Sequence, residues 1–454
     1  MARSAASSFR FGCPAGRTPI GAAAQTFAPR ANGARRSPPS PLTAAARRRS
    51  PLPVPVAILD AIRVPRGKGR KGGALAGVAP VDLLAQLFNA LEERTGLDSR
   101  EVEEIHLGCV TQMNDQGANI AHTAALYSGW QPAGSASTVS SYCTSGLTAT
   151  SIAAGRIASG MGDIYVAGGV ESMSRVPMLS DNGPLFANPA VRAAVPFIAN
   201  GVIADAVATR EGFDRAMLDG YAARSHQRAA AATGEGRFAR SLVPVRDGDG
   251  QLVLERDELI RPDAKAETMA RLAPLFADQG ASGDSALLER HFGLDRPIRH
   301  DHHAGSAPGI VDGASLVLLA SPEGAARLGA EPRGRIADFS FRRGPAIEGL
   351  TGAIAATEHL LERSGLAVAD IDLWEFNEGF AAIALYFARR FGIDDERFNV
   401  NGGGIAMGHA MGATGGNLIG IMLDELERRG LRRGIVAISG AAGAGAAMLI
   451  DRPL

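Results

Sequence analysis

The chain contains one short segment twice, and this duplication is the strongest guide to its fold. Residues Glu93–Leu97 read ERTGL, and Glu362–Leu366 read ERSGL at an offset of 269 positions. The β-type run Ile164–Gly168 has a counterpart, with a small slip in spacing, in Ile435–Ser439. Agreement in the same order at separate places indicates two similar halves packed as a pseudo-dimer.

Strand-like and helix-like patterns alternate along the chain. Residues Val54–Leu59 form a short apolar run typical of a buried strand, and residues 81–94 place their large apolar side chains on one helical face. This alternation predicts an α/β fold, with a parallel or mixed sheet covered by helices. We predict a leader at 1–50, an N-terminal half at 51–322 and a C-terminal half at 323–454.

The segment from about 174 to 300 differs from both halves, because it is polar and rich in arginine and aspartate. It contains one amphipathic helical pattern, Met217–Thr233, and a hairpin-like stretch at 243–253. Long insertions in compact domains are often binding lids. We therefore expect this insertion to lie over the first half and to contact substrate.

Composition indicates a globular protein and argues against a nucleic-acid binder. The 454 residues are 46% hydrophobic and 21% charged, which is the mix of a globular protein. The formal charge is zero, but residues 1–50 hold nine arginines and no acidic residue, so the other 404 residues carry a net charge of −9. A nucleic-acid binder should show a basic face, which this mildly acidic body argues against.

Cysteine usage and the leader bear on the compartment. The three cysteines, Cys13, Cys109 and Cys143, are too few for a disulfide framework and are typical of a reducing compartment. No run of eighteen strongly apolar residues predicts a membrane span. The leader has the arginine-rich, acid-free composition of a transit peptide, although its prolines would break an amphipathic helix. We expect a cytoplasmic protein, with the mitochondrial matrix as the alternative if the leader is a transit peptide.

Cys143 is the first candidate for chemistry. It lies between a β-like segment, Ser137–Ser141, and a helical segment of small residues, Leu147–Ala158. A thiol at such a turn faces a helix N-terminus, where backbone N–H groups favour the thiolate and a nucleophile can reach substrate. The alternative is an inert buried cysteine, an interpretation that suits Cys109 well.

His409 is the second candidate. It lies in the glycine-rich segment Asn401–Gly415, which matches neither of the common glycine-rich phosphate-binding motifs. The repeat offset applied to Cys143 leads to position 412, three residues from His409. The two halves therefore bring a thiol and an imidazole to equivalent corners, which is the pairing that nucleophilic catalysis needs.

Four motifs in the right order resemble the thiolases, the acyl-CoA C-acyltransferase family, over essentially all of residues 54–452. They are Ser140–Gly146, Val166–Ser174, Asn377–Ala381 and Asn401–Gly415. The resemblance implies the thiolase fold: two βαβαβαββ halves in five αβαβα layers, with a long insertion loop domain. It also implies acyl-CoA and coenzyme A as substrates, no metal or tightly held cofactor, no nucleic-acid partner, and a homodimer or homotetramer.

The resemblance implies a role for each site residue. His409 takes the proton of Cys143, whose thiolate attacks a 3-oxoacyl-CoA or acyl-CoA thioester and becomes acylated. Asn377 holds a water that, with His409, stabilises an enolate oxygen, and the backbone N–H of Cys143 helps to hold the oxyanion. The residues implied to bind substrate are Met173, Ser306, Phe380 and Gly408.

The sequence departs from the family where a second catalytic cysteine is expected. Ser439 stands at that place near the C-terminus, and Gly379 stands where a subgroup carries the cysteine instead. An alcohol titrates several pH units above a thiol, so Ser439 would be a poor carbon base and the carbon–carbon step should be slow. A milder change is Ala410, which replaces the proline that conventionally follows the catalytic histidine.

The run His300-Asp301-His302-His303 is a further departure. It invites a metal interpretation, but no clustered partner accompanies it, so a solvated loop or histidines close to substrate are the preferred interpretations. We predict a thiolase-type acyltransferase with an acyl-cysteine intermediate. The alternatives are a non-catalytic or transacylation-only acyl-CoA-binding paralogue, and a condensing enzyme that acts on another acyl carrier.

Overall fold

The computed structural model describes residues 52–195 and 197–452. The leader predicted at 1–50, including Cys13, lies outside the described residues. The strands are β1 (Val56–Arg63), β2 (Gly67–Lys68), β3 (Glu104–Gly108), β4 (Ala136–Val139), β5 (Ile164–Ser172), β6 (Val245–Arg246), β7 (Leu252–Leu254), β8 (Val311–Ala320), β9 (Gly334–Arg343), β10 (Leu373–Phe376), β11 (Arg433–Ser439) and β12 (Ala444–Asp451).

The α-helices begin with α1 (Pro80–Thr95), α2 (Ile120–Tyr127) and α3 (Ser145–Ala158) in the first half. Those of the insertion and the second half are α4 (Pro184–Ala187), α5 (Pro189–Ala194), α6 (Asn200–Glu211), α7 (Arg215–Gly234), α8 (Ala266–Met269), α9 (Ala277–Gln279), α10 (Ser285–Phe292), α11 (Pro322–Arg327), α12 (Gly352–Ser364), α13 (Ala381–Phe391), α14 (Gly404–Met407) and α15 (Thr414–Arg429). Among the described residues, no helix combines the length and apolar character needed to cross a bilayer.

The strands form two sets with the same order. The first set runs β4-β3-β5-β8-β1, with two parallel pairs followed by two antiparallel pairs. The second runs β10-β11-β12-β9, and a parallel bridge between Trp374 and Phe398 stands in the place of its outermost strand. The two sets join where β1 also pairs with β9 at Val56–Ile58. Each half therefore has the predicted βαβαβαββ order.

The repeated segment marks equivalent helix ends. Gly96 ends α1 and Gly365 ends α12, each in the left-handed conformation with φ of 67°. A side chain is strained in that conformation, which is why glycine ends both helices. The predicted duplication is confirmed, whereas the exact division at 322/323 stays a prediction.

Three large apolar clusters define the layers. One packs α1 and α2 against the first set of strands, and another packs α12 and α13 against the second. Between them lies a cluster built from α3, α15 and the inner faces of both sets. The order of layers is therefore helix, sheet, helix, sheet, helix, as the resemblance implied.

The two central helices touch through glycines at their N-termini. A Cβ at Gly146 would lie 2.7 Å from the carbonyl oxygen of Gly412, and a Cβ at Gly415 would lie 2.3 Å from the backbone N of Leu147. No side chain fits at that separation, so the backbones of α3 and α15 meet directly. Close packing of the central helices thus explains the glycines at positions 412 and 415.

The insertion occupies residues 173–310, between β5 and β8. Its predicted helix is α7, and its predicted hairpin is the β6–β7 pair. The expectation that the insertion lies over the first half is only partly right. Its hairpin packs on the first half, but α6 and α7 pack on α13 and α14 of the second half, because apolar residues of α6 and α7 join the cluster that contains Phe376 and Phe380.

Candidate active site

Cys143 lies in a tight turn between β4 and α3. The preceding residue, Tyr142, has φ of 55°, a conformation that non-glycine residues seldom adopt. The hydroxyl of Ser145 holds the turn, because it accepts a hydrogen bond from the backbone N–H of Ser141 at 2.9 Å and donates to the carbonyl of Tyr142. A strained residue beside a candidate nucleophile is a common feature of active sites.

Burial decides the protonation state of Cys143. The residue is 8% exposed, and burial raises the pKa of its thiol to about 11, although the backbone N–H groups of Ala441 and of Cys143 itself act in the opposite direction. Those donors act in the direction expected at a helix N-terminus, but desolvation outweighs them in the free protein, so the net effect is a raised pKa. Cys143 is a thiol at neutral pH and must lose its proton as it reacts.

His409 lies in the loop between α14 and α15 and is also 8% exposed. Its Nδ1 lies 2.9 Å from the hydroxyl of Thr414, and its backbone N–H donates to the carbonyl of Gly309 at 2.9 Å. Its buried Nε2 has no hydrogen-bond partner among the described residues. If Nδ1 carries the proton and donates to Thr414, Nε2 is left as a proton acceptor.

Burial, aided by the charge of Arg66, lowers the pKa of His409 to about 4. The imidazole is therefore neutral across the physiological range. A neutral imidazole is the form that can take a proton from a thiol. The free site thus holds a neutral thiol and a neutral base rather than an ion pair.

Backbone contacts connect the candidate residues from the two halves. A Cβ at Gly440 would lie 3.4 Å from the backbone N of Cys143 and 3.6 Å from its Cβ, so the turn after Ser439 touches the cysteine. A Cβ at Gly404 would lie 2.5 Å from the carbonyl oxygen of Asn377 and 3.6 Å from the Cβ of His409. Ala410 and Met411, which follow His409, belong to the same apolar cluster as Cys143.

Asn377 and Ser439 are joined to each other. The Nδ2 of Asn377 donates to the carbonyl of Ser439 at 3.0 Å, and its Oδ1 accepts from the backbone N–H of Ser439 at 3.1 Å. The Ser439 hydroxyl oxygen accepts a third hydrogen bond, from the backbone N–H of Ala353 at 3.1 Å. That hydroxyl thus binds the first turn of α12, and neither Ser439 nor Gly379 supplies a thiol.

Two of the residues expected to bind substrate are connected to the cysteine and the histidine. Met173 belongs to the large apolar cluster that also contains Cys143. Gly408 precedes His409 with φ of 91°, and its carbonyl accepts a hydrogen bond from Arg66 Nη1 at 2.9 Å. These positions are compatible with substrate contact, which remains a prediction.

The other two lie around the N-terminus of α13. Ser306 is fully buried. Its hydroxyl accepts a hydrogen bond from the backbone N–H of His303 at 3.1 Å, and its carbonyl accepts one from the backbone N–H of Ala381. Phe380 packs edge-on against Phe276 and His302. Both residues support the loop that carries Asn377, and their contact with substrate stays a prediction.

Two buried glutamates hold the site together, and sequence reasoning assigned neither a role. Glu171 accepts hydrogen bonds from the backbone N–H groups of Val110, Thr111 and Gly412 at 3.0–3.1 Å, and so joins the two halves beside α15. Its only sequence signal was its place within the thiolase motif Val166–Ser174.

Glu378 plays the same part on the other side. It accepts hydrogen bonds from the hydroxyls of Tyr221 and Ser225 on α7 at 2.8 Å and from the backbone N–H of Ile405 at 3.0 Å. The carboxylate therefore ties the insertion to the glycine-rich loop that carries His409. Its place directly after Asn377 was its only sequence signal.

The histidine run is not a solvated loop, and that interpretation is wrong. His302 and His303 are fully buried; His302 Nδ1 contacts Asp205 at 2.7 Å, and His303 Nε2 contacts Asp219. His300 Nδ1 contacts the other oxygen of Asp205 at 2.9 Å. The described part of the chain contains no group of three or more His, Cys, Asp or Glu residues arranged to hold a metal ion. Aspartates on α6 and α7, distant in sequence, are the partners that sequence reasoning could not identify.

The fold and the site together define a class: duplicated α/β proteins in which a buried cysteine precedes the central helix of one half and a buried histidine precedes the central helix of the other. Comparison with known proteins gives the family. Residues 56–286 match the family described as "Thiolase, N-terminal domain", and residues 330–452 match "Thiolase, C-terminal domain". The chain belongs to the thiolase family, whose members are acyltransferases.

Relatives of known name agree with this assignment. A 3-ketoacyl-CoA thiolase of Aeromonas hydrophila is 36% identical over 406 residues, which cover 87% of this chain and 99% of the relative. A beta-ketoadipyl-CoA thiolase of Pseudomonas knackmussii is 36% identical over 419 residues, with the same coverage. The crystal structure of a Bacillus anthracis acetyl-CoA acetyltransferase superimposes with a TM-score of 0.75 at 32% identity, covering 88% of this chain and 98% of that one.

Proposed function

We propose that this thiolase-family enzyme transfers acyl groups from acyl-CoA or 3-oxoacyl-CoA through an acyl thioester on Cys143, with His409 as the base. The direct contact of α3 and α15 at Gly146 and Gly415 carries the proposal, because the two candidate residues precede these helices. The unpartnered Nε2 of His409 supports it further. The substrates are acyl-CoA and coenzyme A.

With acyl-CoA as the donor, acylation begins when the sulfur of Cys143 attacks the thioester carbonyl carbon and its proton passes to Nε2 of His409. With 3-oxoacyl-CoA the sulfur attacks the 3-oxo carbon instead, and the bond between C2 and C3 breaks. The backbone N–H groups of Cys143 and Ala441, which both face the sulfur, are suited to the developing oxyanion. Such a donor is usually worth about 3 kcal/mol in the transition state. The tetrahedral intermediate formed from acyl-CoA collapses by releasing the coenzyme A sulfur, which takes the proton from His409.

The carbon step needs a base for the α-proton of the second substrate or, in the reverse direction, an acid for it. We expect Ser439 to serve poorly in either role, because its hydroxyl is an alcohol that already accepts a hydrogen bond from α12. Acyl loading should therefore be fast relative to carbon–carbon bond formation or thiolysis. A transacylation-only enzyme, or an acyl-CoA-binding paralogue, is the second candidate that this residue favours.

Quaternary structure and compartment are further parts of the proposal. We expect a homodimer or homotetramer, because β4 lies at an edge of the sheet and the adjacent α2 exposes Leu126 and Tyr127, each 64% accessible. An exposed strand edge beside apolar side chains is a ready surface for a second chain. The cytoplasm is the compartment we propose, with the mitochondrial matrix as the alternative.

Intact-mass spectrometry after incubation with acetyl-CoA tests the proposal. We expect a mass increase of one acetyl group on Cys143, which Cys143→Ala abolishes. Cys109→Ala is the matched control, because Cys109 is a second buried free cysteine, and this variant should still be acylated. A chain that gains no acetyl group would favour the binding paralogue. Adding coenzyme A and acetoacetyl-CoA then measures the carbon step separately.

A further inference from the structure

Arg66 lies beneath the loop that carries the catalytic base. Its guanidinium Nη1 donates to the carbonyl of Gly408 at 2.9 Å, and the residue is 1% exposed. A Cβ at Gly313 would lie 3.2 Å both from the Cγ of Arg66 and from the Cβ of Ala410. Arg66 therefore contacts the residue before His409 directly and packs beside the residue after it.

A buried carboxylate holds Arg66 in place. Asp257 accepts hydrogen bonds from the backbone N–H of Arg66 at 2.8 Å and from its Nε at 3.3 Å. The same carboxylate binds both terminal nitrogens of Arg63, at 2.9 Å each. Asp257 comes from the insertion and the arginines from the end of β1, so the group connects the insertion to the site.

This group leaves a net positive charge inside the protein, since two guanidinium groups share one carboxylate. The other buried acidic groups around the site are Glu171 on β5, which faces Gly412, and Glu375 and Glu378 at the end of β10. Glu375 is near enough to interact with Arg66, and burial raises the pKa of Glu375 well above its ordinary value, which favours its neutral form. Among these buried groups, Arg66 is the one whose charge lowers the pKa of His409.

A neutral donor could bind the Gly408 carbonyl at a lower desolvation cost than a guanidinium, because taking a charge out of water is expensive. The guanidinium does something that a neutral donor cannot do: its charge opposes protonation of the neighbouring imidazole. It also orients the peptide from which His409 extends.

We propose that Arg66, braced by Asp257 and Arg63, is a positioning residue that presents His409 to Cys143 as a neutral proton acceptor. The proposal rests on the proposed function, in which His409 is the base. Arg66 acts only through His409 and does not touch the reacting atoms.

The test is the titration of His409, followed by NMR of its ring protons in histidine-labelled protein and assigned with His409→Gln. In the wild type the midpoint should lie near pH 4. Arg66→Met removes the charge and should move the midpoint toward the ordinary value of about 6.5. Arg66→Lys keeps a charge and should keep the midpoint low. An unchanged midpoint in Arg66→Met overturns the proposal.

Acylation of Cys143 by acetyl-CoA, followed by intact mass, gives a second readout. Because burial is the larger cause of the low pKa, Arg66→Met should raise the midpoint only part of the way from about 4 toward 6.5, so the variant should lose more of its acylation rate between pH 8 and pH 5 than the wild type does. A purely structural role would lower both rates by the same factor. Arg246→Met is the matched control, because Arg246 also binds a backbone carbonyl but is exposed on the hairpin.

The same experiments distinguish a folding defect of the Arg66 variant from a failure of the proposed function. Should Arg66→Met fail to fold, Arg66→Lys remains informative, since a midpoint near 6.5 in that variant contradicts the role of charge. Should the wild type show no acetyl adduct, the proposed function fails, while the His409 titration still reports on Arg66.

Discussion

The side chain of Asn377 forms two hydrogen bonds with the backbone of Ser439, one as donor at 3.0 Å and one as acceptor at 3.1 Å. The two hydrogen bonds close a ring between the Asn377 amide and the Ser439 backbone, which joins the loop after β10 to the end of β11. One hydrogen of Nδ2 is left for substrate or water. Asn377 therefore fixes the turn that touches Cys143, and we propose a second task, in which its remaining hydrogen is a donor to the site.

Asn377→Asp should disrupt both tasks. A carboxylate would face the Ser439 carbonyl without a hydrogen between them, so we expect a loss of about 1–3 kcal/mol in the free energy of unfolding and a slower acylation of Cys143. Urea unfolding and intact mass measure the two effects. Asn182→Asp is the control, because the exposed Asn182 amide binds only the carbonyl of Ser180. Equal stability of the two variants would contradict the importance of the ring.

Ser439→Cys should restore the missing carbon base. A thiol ionises more easily than an alcohol by several pKa units, and each unit corresponds to 1.36 kcal/mol, so thiolysis of acetoacetyl-CoA should rise at least about tenfold. Acyl loading should change little. Stability should fall by about 1 kcal/mol, because sulfur is a weaker acceptor for the Ala353 N–H.

Ser439→Ala removes the same hydrogen bond without adding a thiol and is the control for that variant. If the wild type carries out thiolysis at the full rate of a thiolase and Ser439→Ala leaves this rate unchanged, our assignment of the second base position is wrong. A different residue would then move the α-proton.

The sequence was sufficient for the fold, and it made Cys143 and His409 the candidates for chemistry, because both inferences depend on local patterns. The repeated Glu93–Leu97 segment marks helix ends, and the glycines around His409 mark a close backbone approach. Contacts between distant segments carried no such pattern. Nothing local reveals that Asp205 contacts the buried His302 or that Asp257 binds Arg66. Nor does any local pattern reveal that burial raises the pKa of Cys143 by more than the backbone donors lower it.

Acid should destabilise the protein partly through His409. Its pKa is lowered to about 4 in the folded chain, below the ordinary 6.5, so the unfolded chain binds more protons between these values. The stability present above pH 6.5 is therefore lost as the pH falls toward 4. The full shift corresponds to about 3 kcal/mol.

His409→Gln should remove that part of the pH dependence, measured as the difference in urea unfolding between pH 4.5 and pH 7. His226→Gln is a useful comparison, because burial also lowers the pKa of His226 to about 4, and His226 lies on α7 rather than on the loop that carries the base. Each variant should flatten the profile. A His409→Gln profile identical to that of the wild type would show that the imidazole is not buried in its neutral form.

The contact between the central helices gives the last prediction. A Cβ at Gly415 would lie 2.3 Å from the backbone N of Leu147 and 2.5 Å from the carbonyl carbon of Gly146, so Gly415→Ala must push α15 away from α3. Overpacking of this kind costs about 1–3 kcal/mol or more. Because Cys143 and His409 precede these helices, the acylation rate should fall as well, by about a hundredfold for a displacement near 1 Å.

Gly220→Ala is the control for Gly415→Ala. Gly220 lies within α7 with no atom near its Cβ position, so that variant should gain about 0.5–1 kcal/mol in the free energy of unfolding and keep its activity. A folded Gly415→Ala enzyme with wild-type acylation would show that the catalytic pair does not depend on this helix contact.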